Sequence, residues 1–418
     1  MLKNFWWPVE FSHEVTHKPL SMTAVGQKFV LWRDGSGNVN CLNDLCVHRG
    51  GSLAGGWLTE DLNDVVCPYH GWEYGGDGAC TSIPAHPQRG IPKKARVDSY
   101  PVVEKYGVVF AFLGDLPEDE RPPLPEIPEL DDPKFKKVYG SYWWDVNYER
   151  ALENGMDPSH APYVHGNRFG NLDKPQVADF EVQTTPWSGL AQIGLYAPVS
   201  NPKGSWGKKL RGTTEAQATD ELLIDTKAGF FMPNMNILSV PLPFGQMMLF
   251  DMHVPITENR TRTMYIGLRT FLKSDWADKD THKRIHYIFK QDDDVIGDQR
   301  PEMIPYNLAD ELPVRSDALQ VAYRRRRAEL IDQGWGVDMH QIVGDGPRDV
   351  AVVIPSPARR NNPELANAWV HKEVQSAQLL GKDKERRVNA GGFIENQADD
   401  GTPVLGVTSG SSPDGAHS

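Results

Sequence analysis

The chain has 418 residues, 39% hydrophobic and 24% charged, the composition of an ordinary globular protein too long for one hydrophobic core. Its net charge of −12, from 44 basic and 56 acidic residues, argues against nucleic acid or an anionic membrane surface as partner. No run of about 18 apolar residues is present to span a bilayer, and the start, "MLKNFWWPVEFSHE", lacks the basic-then-apolar layout of a secretory signal, so a cytoplasmic location is expected.

From Pro8 to about Gly114, short apolar runs such as "KFVLWRD", "VVCPYHGWEY" and "GVVFAFLG" alternate with turns rich in Gly, Asn and Asp, which predicts a small all-β domain over residues 1–116. The proline- and acid-rich stretch "DLPEDERPPLPEIPELDDP" has too little apolar content for a core and reads as a semi-rigid connector, placed at 117–137. A second domain over 138–388 follows. Its extended runs, among them "ELLIDTKAGFFM", "NILSVPLP", "QMMLFDMHVPI" and "RTMYIGLRTFL", predict a large antiparallel sheet with one face buried. The segments "DWADKDTHKRIHYIFKQDDDVIGDQ" and "RSDALQVAYRRRRAELIDQGW" predict helices, so this domain is α+β. Residues 389–418, rich in Gly, Ser, Asp and Pro, are expected to form a disordered tail.

All four cysteines, Cys41, Cys46, Cys67 and Cys80, fall in the first domain. In a chain without a secretory signal they suggest metal binding rather than disulfides. Cys46 and His48 form a Cys-x-His pair; eighteen residues on, Cys67 and His70 form Cys-x-x-His, each pair next to turn formers. Two thiolates and two imidazoles suit either tetrahedral zinc or a [2Fe–2S] cluster with histidines on one iron. Cys41 and Cys80 lie outside the pattern and read as buried small hydrophobes.

In the second domain, "ENGMDPSHAPYVH" runs from Glu153 to His165. Asp157 and Pro158 look like the cap and first position of a helix, with His160 on the same face as Asp157. On an ideal helix the five-residue step to His165 turns about 500°, leaving the imidazoles roughly 140° apart. Pro162 lies between them, and a distortion there would let both rings reach one metal. Two imidazoles and a carboxylate make the facial triad of non-haem Fe(II) sites. The carboxylate is sought in "FKQDDDVIGDQRPE", where only one of Asp292, Asp293 and Asp294 can face a given point, because consecutive helix residues diverge by about 100°.

Together these segments resemble the large catalytic subunit of the Rieske non-haem iron oxygenases over roughly residues 5–305, with "CVH" and "CPYHGW" matching the Rieske motif. Within that family the chain is similar to the phthalate dioxygenase, vanillate O-demethylase and pheophorbide oxygenase subgroup, on "FWWPVEFSHEV" and "VLWRDGSGNVNCLNDLCVHRG". The resemblance implies a Rieske [2Fe–2S] domain held by Cys46, His48, Cys67 and His70, then a helix-grip-like antiparallel sheet domain with mononuclear Fe(II) on His160 and His165. It places the third ligand at Asp292, with Asp294 in reserve, and makes Asp157 a bridge between the metal centres rather than a ligand. It further implies a homotrimer in which His70 of one subunit faces Asp157 of the next.

No G-x-G-x-x-G fingerprint occurs, so electrons are expected from a separate reductase, directly or through a ferredoxin. The expected reaction uses O2 to hydroxylate or O-demethylate a small aromatic substrate, for example a lignin-derived methoxylated aromatic or biphenyl. Ring cis-dihydroxylation, a simple Rieske electron carrier and a non-catalytic binding module are the alternatives. Asn154 and Glu153 are expected beside the iron site, supporting it without touching metal. Phe230, Phe231, Met232, Met247 and Met248 read as core more readily than as pocket lining. Lys203, Lys208, Lys209 and Arg211, and the run Arg324 to Arg327, read as solvated faces.

Overall fold

The computed structural model describes residues 1–166, 170–196, 223–242, 244–305, 308–344, 349–362 and 372–376. The first hundred or so residues contain ten strands: β1 (Phe5–Phe11), β2 (Leu20–Ala24), β3 (Gln27–Arg33), β4 (Val39–Asn43), β5 (Trp57–Leu58), β6 (Val65–Val66), β7 (Glu73–Tyr74), β8 (Cys80–Ser82), β9 (Val102–Lys105) and β10 (Val108–Leu113). They pair as three small antiparallel sheets, β2-β3-β4, β1-β10-β9 and β5-β6-β7-β8. The β1–β10 register slips between Pro8 and Glu10, where proline cannot donate to the ladder. Val30, Trp32, Leu42, Val65 and Tyr74 form a separate small core that also takes in Cys46, Cys67 and Cys80.

The predicted connector is not a solvated spacer. Helix α1 (Pro128–Asp131) begins on its proline, and Ile127 and Leu130 are 2% and 0% exposed in the main core. The few apolar residues among the prolines are spaced to face the protein, which composition alone does not reveal.

Strand β11 (Lys136–Trp144) then enters a seven-stranded antiparallel sheet that also contains β12 (Gln183–Thr185), β13 (Ser188–Tyr196), β14 (Leu223–Phe231), β15 (Met235–Leu242), β16 (Gly245–Thr257) and β17 (Arg260–Arg269), in the order β11-β17-β16-β15-β14-β13-β12. Between β11 and β12 lie α2 (Tyr148–Asn154) and the one-turn α3 (Ala161–Val164); after β17 come α4 (Asp278–Ile296) and α5 (Ala318–Asp332). The two long helices lie inside the segments predicted for them.

The expectation of one buried sheet face is corrected: both faces are covered. On one side Ile237, Met248, Phe250, Met252, Met264 and Ile266 join a core that runs on into Trp7, Phe29 and Phe110 of the N-terminal sheets. On the other, Trp144 and Tyr265 pack against Ile285 and Phe289 of α4. Alternation of polar and apolar residues does not reveal this, because the polar residues on the second face are buried too: Asn236, Asp251, His253 and Thr263 are each at most 3% exposed. The chain later returns to the N-terminal sheets, where Arg359 donates to both carboxylate oxygens of fully buried Asp98 at 2.8 Å. The expected tail, 389–418, lies outside the described residues.

Candidate metal centres

Two loops built on one rule carry the first group. After Cys46, the chain turns back so that Gly50 N–H donates to Cys46 O at 2.9 Å and Cys46 N–H donates to Gly51 O at 2.8 Å. After Cys67 the same pattern recurs: Gly71 N–H to Cys67 O at 2.9 Å, Cys67 N–H to Trp72 O at 2.8 Å. Gly50 and Gly71 occupy matching left-handed conformations, φ +72° and +71°, which residues with a Cβ resist. The loops bring the imidazoles of His48 and His70 to 4.5 Å between ring centroids, with His48 stacked on Trp72.

Cys46 and Cys67 are 1% exposed, whereas His70 lies at the surface beside Tyr69. The thiolate side of the group is thus dry and the imidazole side faces outward. The buried His48 Nδ1 has no hydrogen-bond partner, so the donor set is left open in the way a two-thiolate, two-imidazole cluster requires. Tyr74, which sequence reasoning overlooked, sits 3.1 Å from Cys46 Sγ through its hydroxyl. Burial pushes the Cys80 thiol up to about 11 and the Cys41 thiol further, so both stay protonated and inert.

The second group is the tighter one. His160 Nε2 and His165 Nε2 are 3.2 Å apart, and Asp292 Oδ1 lies 3.5 and 3.2 Å from them. Asp292 Oδ1 is buried with no hydrogen-bond partner. Two ring nitrogens and a carboxylate oxygen facing one point are a fit for a divalent cation.

The local structure producing this convergence differs from the one predicted. Asp157 and Pro158 do not start a helix; the Asp157 carboxylate accepts from Ser159 N at 2.7 Å and stabilises a turn. Helix α3 begins after His160 and ends before His165, with Pro162 in its first turn, so Pro162 initiates a helix instead of distorting one. The two histidines are its flanking residues, which releases them from the 140° separation of an uninterrupted helix. Among the three consecutive acids, Asp292 is 4% exposed. Asp293 accepts from the Tyr142 hydroxyl at 3.2 Å, and Asp294 is at the surface, paired with Lys290. Gln291, not anticipated, lies with Oε1 3.4 Å from His165 Nδ1 while its amide donates to Val164 O.

Asp157 Oδ2 is 3.8 Å from His160 Nδ1, an electrostatic contact too long for a hydrogen bond. Burial alone would lower the His160 pKa, but Asp157 and then Asp292 outweigh it and raise it. A cavity of about 300 Å³ opens beside Asp157, lined in part by Asn154, Glu311, Leu312 and Gln320. Leu312 is 77% exposed at its rim.

The arginine run requires a correction. Arg324 and Arg327 are 8% and 3% exposed. Arg324 donates to both Glu153 oxygens at 2.5 Å, and Arg327 pairs with Glu149, locking α5 onto α2 just ahead of Asp157. Glu153 therefore points to α5, and Asn154 to the cavity. Arg325 alone of the four is fully at the surface. Spacing of three on one helix and four on the other aligns the pairs, a match only packing could reveal. Phe230, Met232 and Met248 are core, and Phe231 and Met247 pack against it partly buried. Lys203, Lys208, Lys209 and Arg211 lie outside the described residues.

A cysteine–histidine loop pair on a small β domain, joined to an α+β domain with a two-histidine, one-carboxylate group, defines a Rieske-type oxygenase. Comparison with known proteins agrees. The Rieske [2Fe-2S] domain family matches residues 5–103, and the vanillate O-demethylase oxygenase C-terminal domain family matches residues 144–333. A methylxanthine N3-demethylase of Pseudomonas putida is 33% identical over 342 residues, 79% of this chain and 89% of that protein. A chlorophyllide a oxygenase of Chlamydomonas reinhardtii is 32% identical over 242 residues, 53% of this chain, which spans 35% of that longer relative. The solved structure of Pseudomonas putida CBB5 NdmA with caffeine superposes with a TM-score of 0.63 at 25% identity, covering 78% of this chain and 90% of that one. The chain belongs to the Rieske non-haem iron oxygenases. Among the described residues no helix is long and apolar enough to cross a membrane.

Proposed function

We propose that this chain is the terminal oxygenase of a multicomponent system, with a [2Fe–2S] cluster on Cys46, His48, Cys67 and His70 and Fe(II) on His160, His165 and Asp292. The observation that carries this reading is the convergence of His160 Nε2, His165 Nε2 and Asp292 Oδ1 within 3.5 Å of one another in a chain that also has the cluster loops. When bound, the cluster would supply single electrons and the iron would supply dioxygen activation.

The residues of this chain position those groups. Gln291 and Asp157 address the outer ring nitrogens of His165 and His160, keeping both inner nitrogens directed at the metal point. The exposed His70 and the open cavity beside Asp157 support a head-to-tail homotrimer in which His70 of one subunit docks by Asp157 of its neighbour. We assign residues 1–116 to the cluster domain, 117–137 to the joining segment and 138–388 to the catalytic domain, in a cytoplasmic protein reduced by a separate reductase or ferredoxin.

The reaction we favour is demethylation of a small aromatic, supported by the vanillate O-demethylase family match and the methylxanthine N3-demethylase relative. One atom of dioxygen enters a methyl C–H bond, and the product collapses to formaldehyde and a free hydroxyl or N–H group. The other atom leaves as water, using an electron pair from the reductase and a pair of protons. Metal analysis should give about three irons and two acid-labile sulfides per chain. Zinc in either site would overturn the reading; product diol without formaldehyde would replace demethylation by dihydroxylation. Asp157→Ala should keep the cluster absorbance and the iron yet lose turnover with reductase, and unchanged turnover would remove Asp157 from the electron route.

A further inference from the structure

Between the sheet and α4 lies a group of oxidisable rings that the reading above does not use. Tyr142 stands at its near end: the hydroxyl donates to Asp293, the residue after Asp292, at 3.2 Å. The Tyr142 ring lies 4.7 Å, centroid to centroid, from Trp144 and 5.4 Å from Phe289. Trp144 and Tyr265 in turn pack on Phe289 at 5.2 and 5.7 Å. Trp144 and Tyr265 are 2% and 0% exposed, so the group runs from the neighbourhood of Asp292 through a dry core. It ends at the partly buried His282 of α4, whose Nδ1 is 2.8 Å from the Tyr265 hydroxyl.

Tyrosine and tryptophan give up one electron more readily than the aliphatic and phenylalanine side chains around them, and the hole rests where a proton can leave with the electron. The Trp144 indole N–H donates to Thr263 Oγ1 at 2.7 Å, and a hydroxyl is no base. Burial pushes the Tyr265 phenol far up, so it keeps its proton until it is oxidised. The base within its hydrogen-bond reach is the His282 imidazole. Burial first, and the charge of His286 second, hold that imidazole below the ordinary histidine range, so it is neutral at pH 7 and able to accept. Asp293 offers Tyr142 an intrinsically weaker base over a longer distance. Gly140 makes the Tyr265–His282 contact possible, since a Cβ there would come 2.3 Å from the Tyr265 hydroxyl.

We propose that Tyr142, Trp144 and Tyr265 form a protective relay that draws an oxidising equivalent away from the iron site when dioxygen is reduced there without substrate, with Tyr265 and His282 as its proton-coupled terminus. The proposal rests on the oxygenase reading for its oxidant. One electron leaves Tyr265 for the site by way of Trp144 and Tyr142. The phenol O–H breaks and its proton goes to His282 Nδ1, leaving a neutral phenoxyl radical on Tyr265. Ascorbate or a thiolate in the medium then returns one electron, and His282 returns the proton.

The test adds hydrogen peroxide to substrate-free ferrous holoenzyme with its cluster oxidised, and follows freeze-quenched samples by electron paramagnetic resonance and by mass mapping of oxidised residues. A neutral tyrosyl signal should form in the wild type and narrow when the tyrosines carry deuterium at Cβ. Tyr265→Phe should lose it, while oxidation of Trp144, His160 and His165 rises. His282→Gln keeps an acceptor for the phenol but no base, so the signal should be lost there too. Because His282 is partly exposed, that variant decides the matter if Tyr265→Phe fails to load iron. No tyrosyl signal from the wild type, a signal surviving in Tyr265→Phe, or an equal signal in His282→Gln would each overturn the proposal. Iron content and formaldehyde release report separately on the oxygenase reading, so an iron-loaded, formaldehyde-producing enzyme without the Tyr265 signal would lose this inference and keep that reading.

Discussion

The two candidate metal-ligating groups are assembled by opposite strategies. The cysteine–histidine group comes from two short loops that share one local rule: a cysteine whose carbonyl accepts from a glycine N–H four residues on. The histidine–carboxylate group needs the flanks of a one-turn helix and the far end of a long helix brought together. Locally encoded sites tolerate change in the rest of the molecule, whereas a site assembled from distant elements inherits every weakness in their packing. The sheet-side group should therefore be the more fragile.

The largest effect should come from removing its carboxylate. Asp292→Ala leaves two imidazoles, too few to hold iron firmly, and iron content and turnover should both be lost, with the cluster absorbance unchanged. Iron retained at the wild-type level would show that Asp292 is not a ligand.

Next in size is the clamp that holds α2 in place ahead of Asp157. Glu153→Ala leaves Arg324 buried without one of its carboxylate partners and should destabilise the fold by about 3–5 kcal/mol in chemical denaturation. Arg325→Ala, one residue along at the surface, should change stability by less than about 0.5 kcal/mol. Equal effects would contradict the burial of Arg324. The same clamp predicts that Glu153→Ala reduces iron occupancy while leaving the cluster loops intact.

A pH experiment separates the two regions more finely. His253 is held neutral by burial, its pKa lowered to about 3, whereas in the unfolded chain it protonates near 6.5. The unfolded state therefore binds a proton that the folded state refuses. Stability from this group is complete above about pH 6.5 and declines by up to about 1.4 kcal/mol per pH unit as pH falls toward 3. His253→Gln should flatten that part of the acid limb; an unaltered limb would show that the ring is not held neutral.

The smallest effect concerns electron affinity. The Tyr74 hydroxyl lies 3.1 Å from Cys46 Sγ, and a hydrogen bond donated to a cluster-bound thiolate there would draw charge from the sulfur and favour the reduced cluster. Tyr74→Phe should lower the reduction potential by roughly 20–65 mV, the equivalent of one ordinary hydrogen bond, measured by redox titration of the cluster.

Residue by residue, legibility follows the same division. The two cysteine–histidine pairs are readable because cysteine, histidine and glycine at fixed short spacings are rare and their geometry is local. The pairing of His160 with His165 is readable as a pattern, but the route to it is not: Pro162 lies in the first turn of α3 instead of bending a longer helix. Asp292 needed burial to separate it from Asp293 and Asp294. Charge alone suggests a solvated face for Arg324 and Arg327, because their partners Glu153 and Glu149 lie on another helix. Asp251 and His253 did leave a trace, two ionisable residues at strand spacing within the otherwise apolar "LFDMHVP". That trace marks a shared face without saying that the face is buried.

The amino-acid sequence by itself determined the family, the paired cysteine–histidine loops and the α+β character of the larger domain, because each depends on residue type and short-range spacing. Only the tertiary structure decided which acid lies against the histidine pair, which arginines are buried, and that both sheet faces are covered. Those outcomes depend on which side chains long-range packing removes from water, and that cost or gain appears only when distant segments meet.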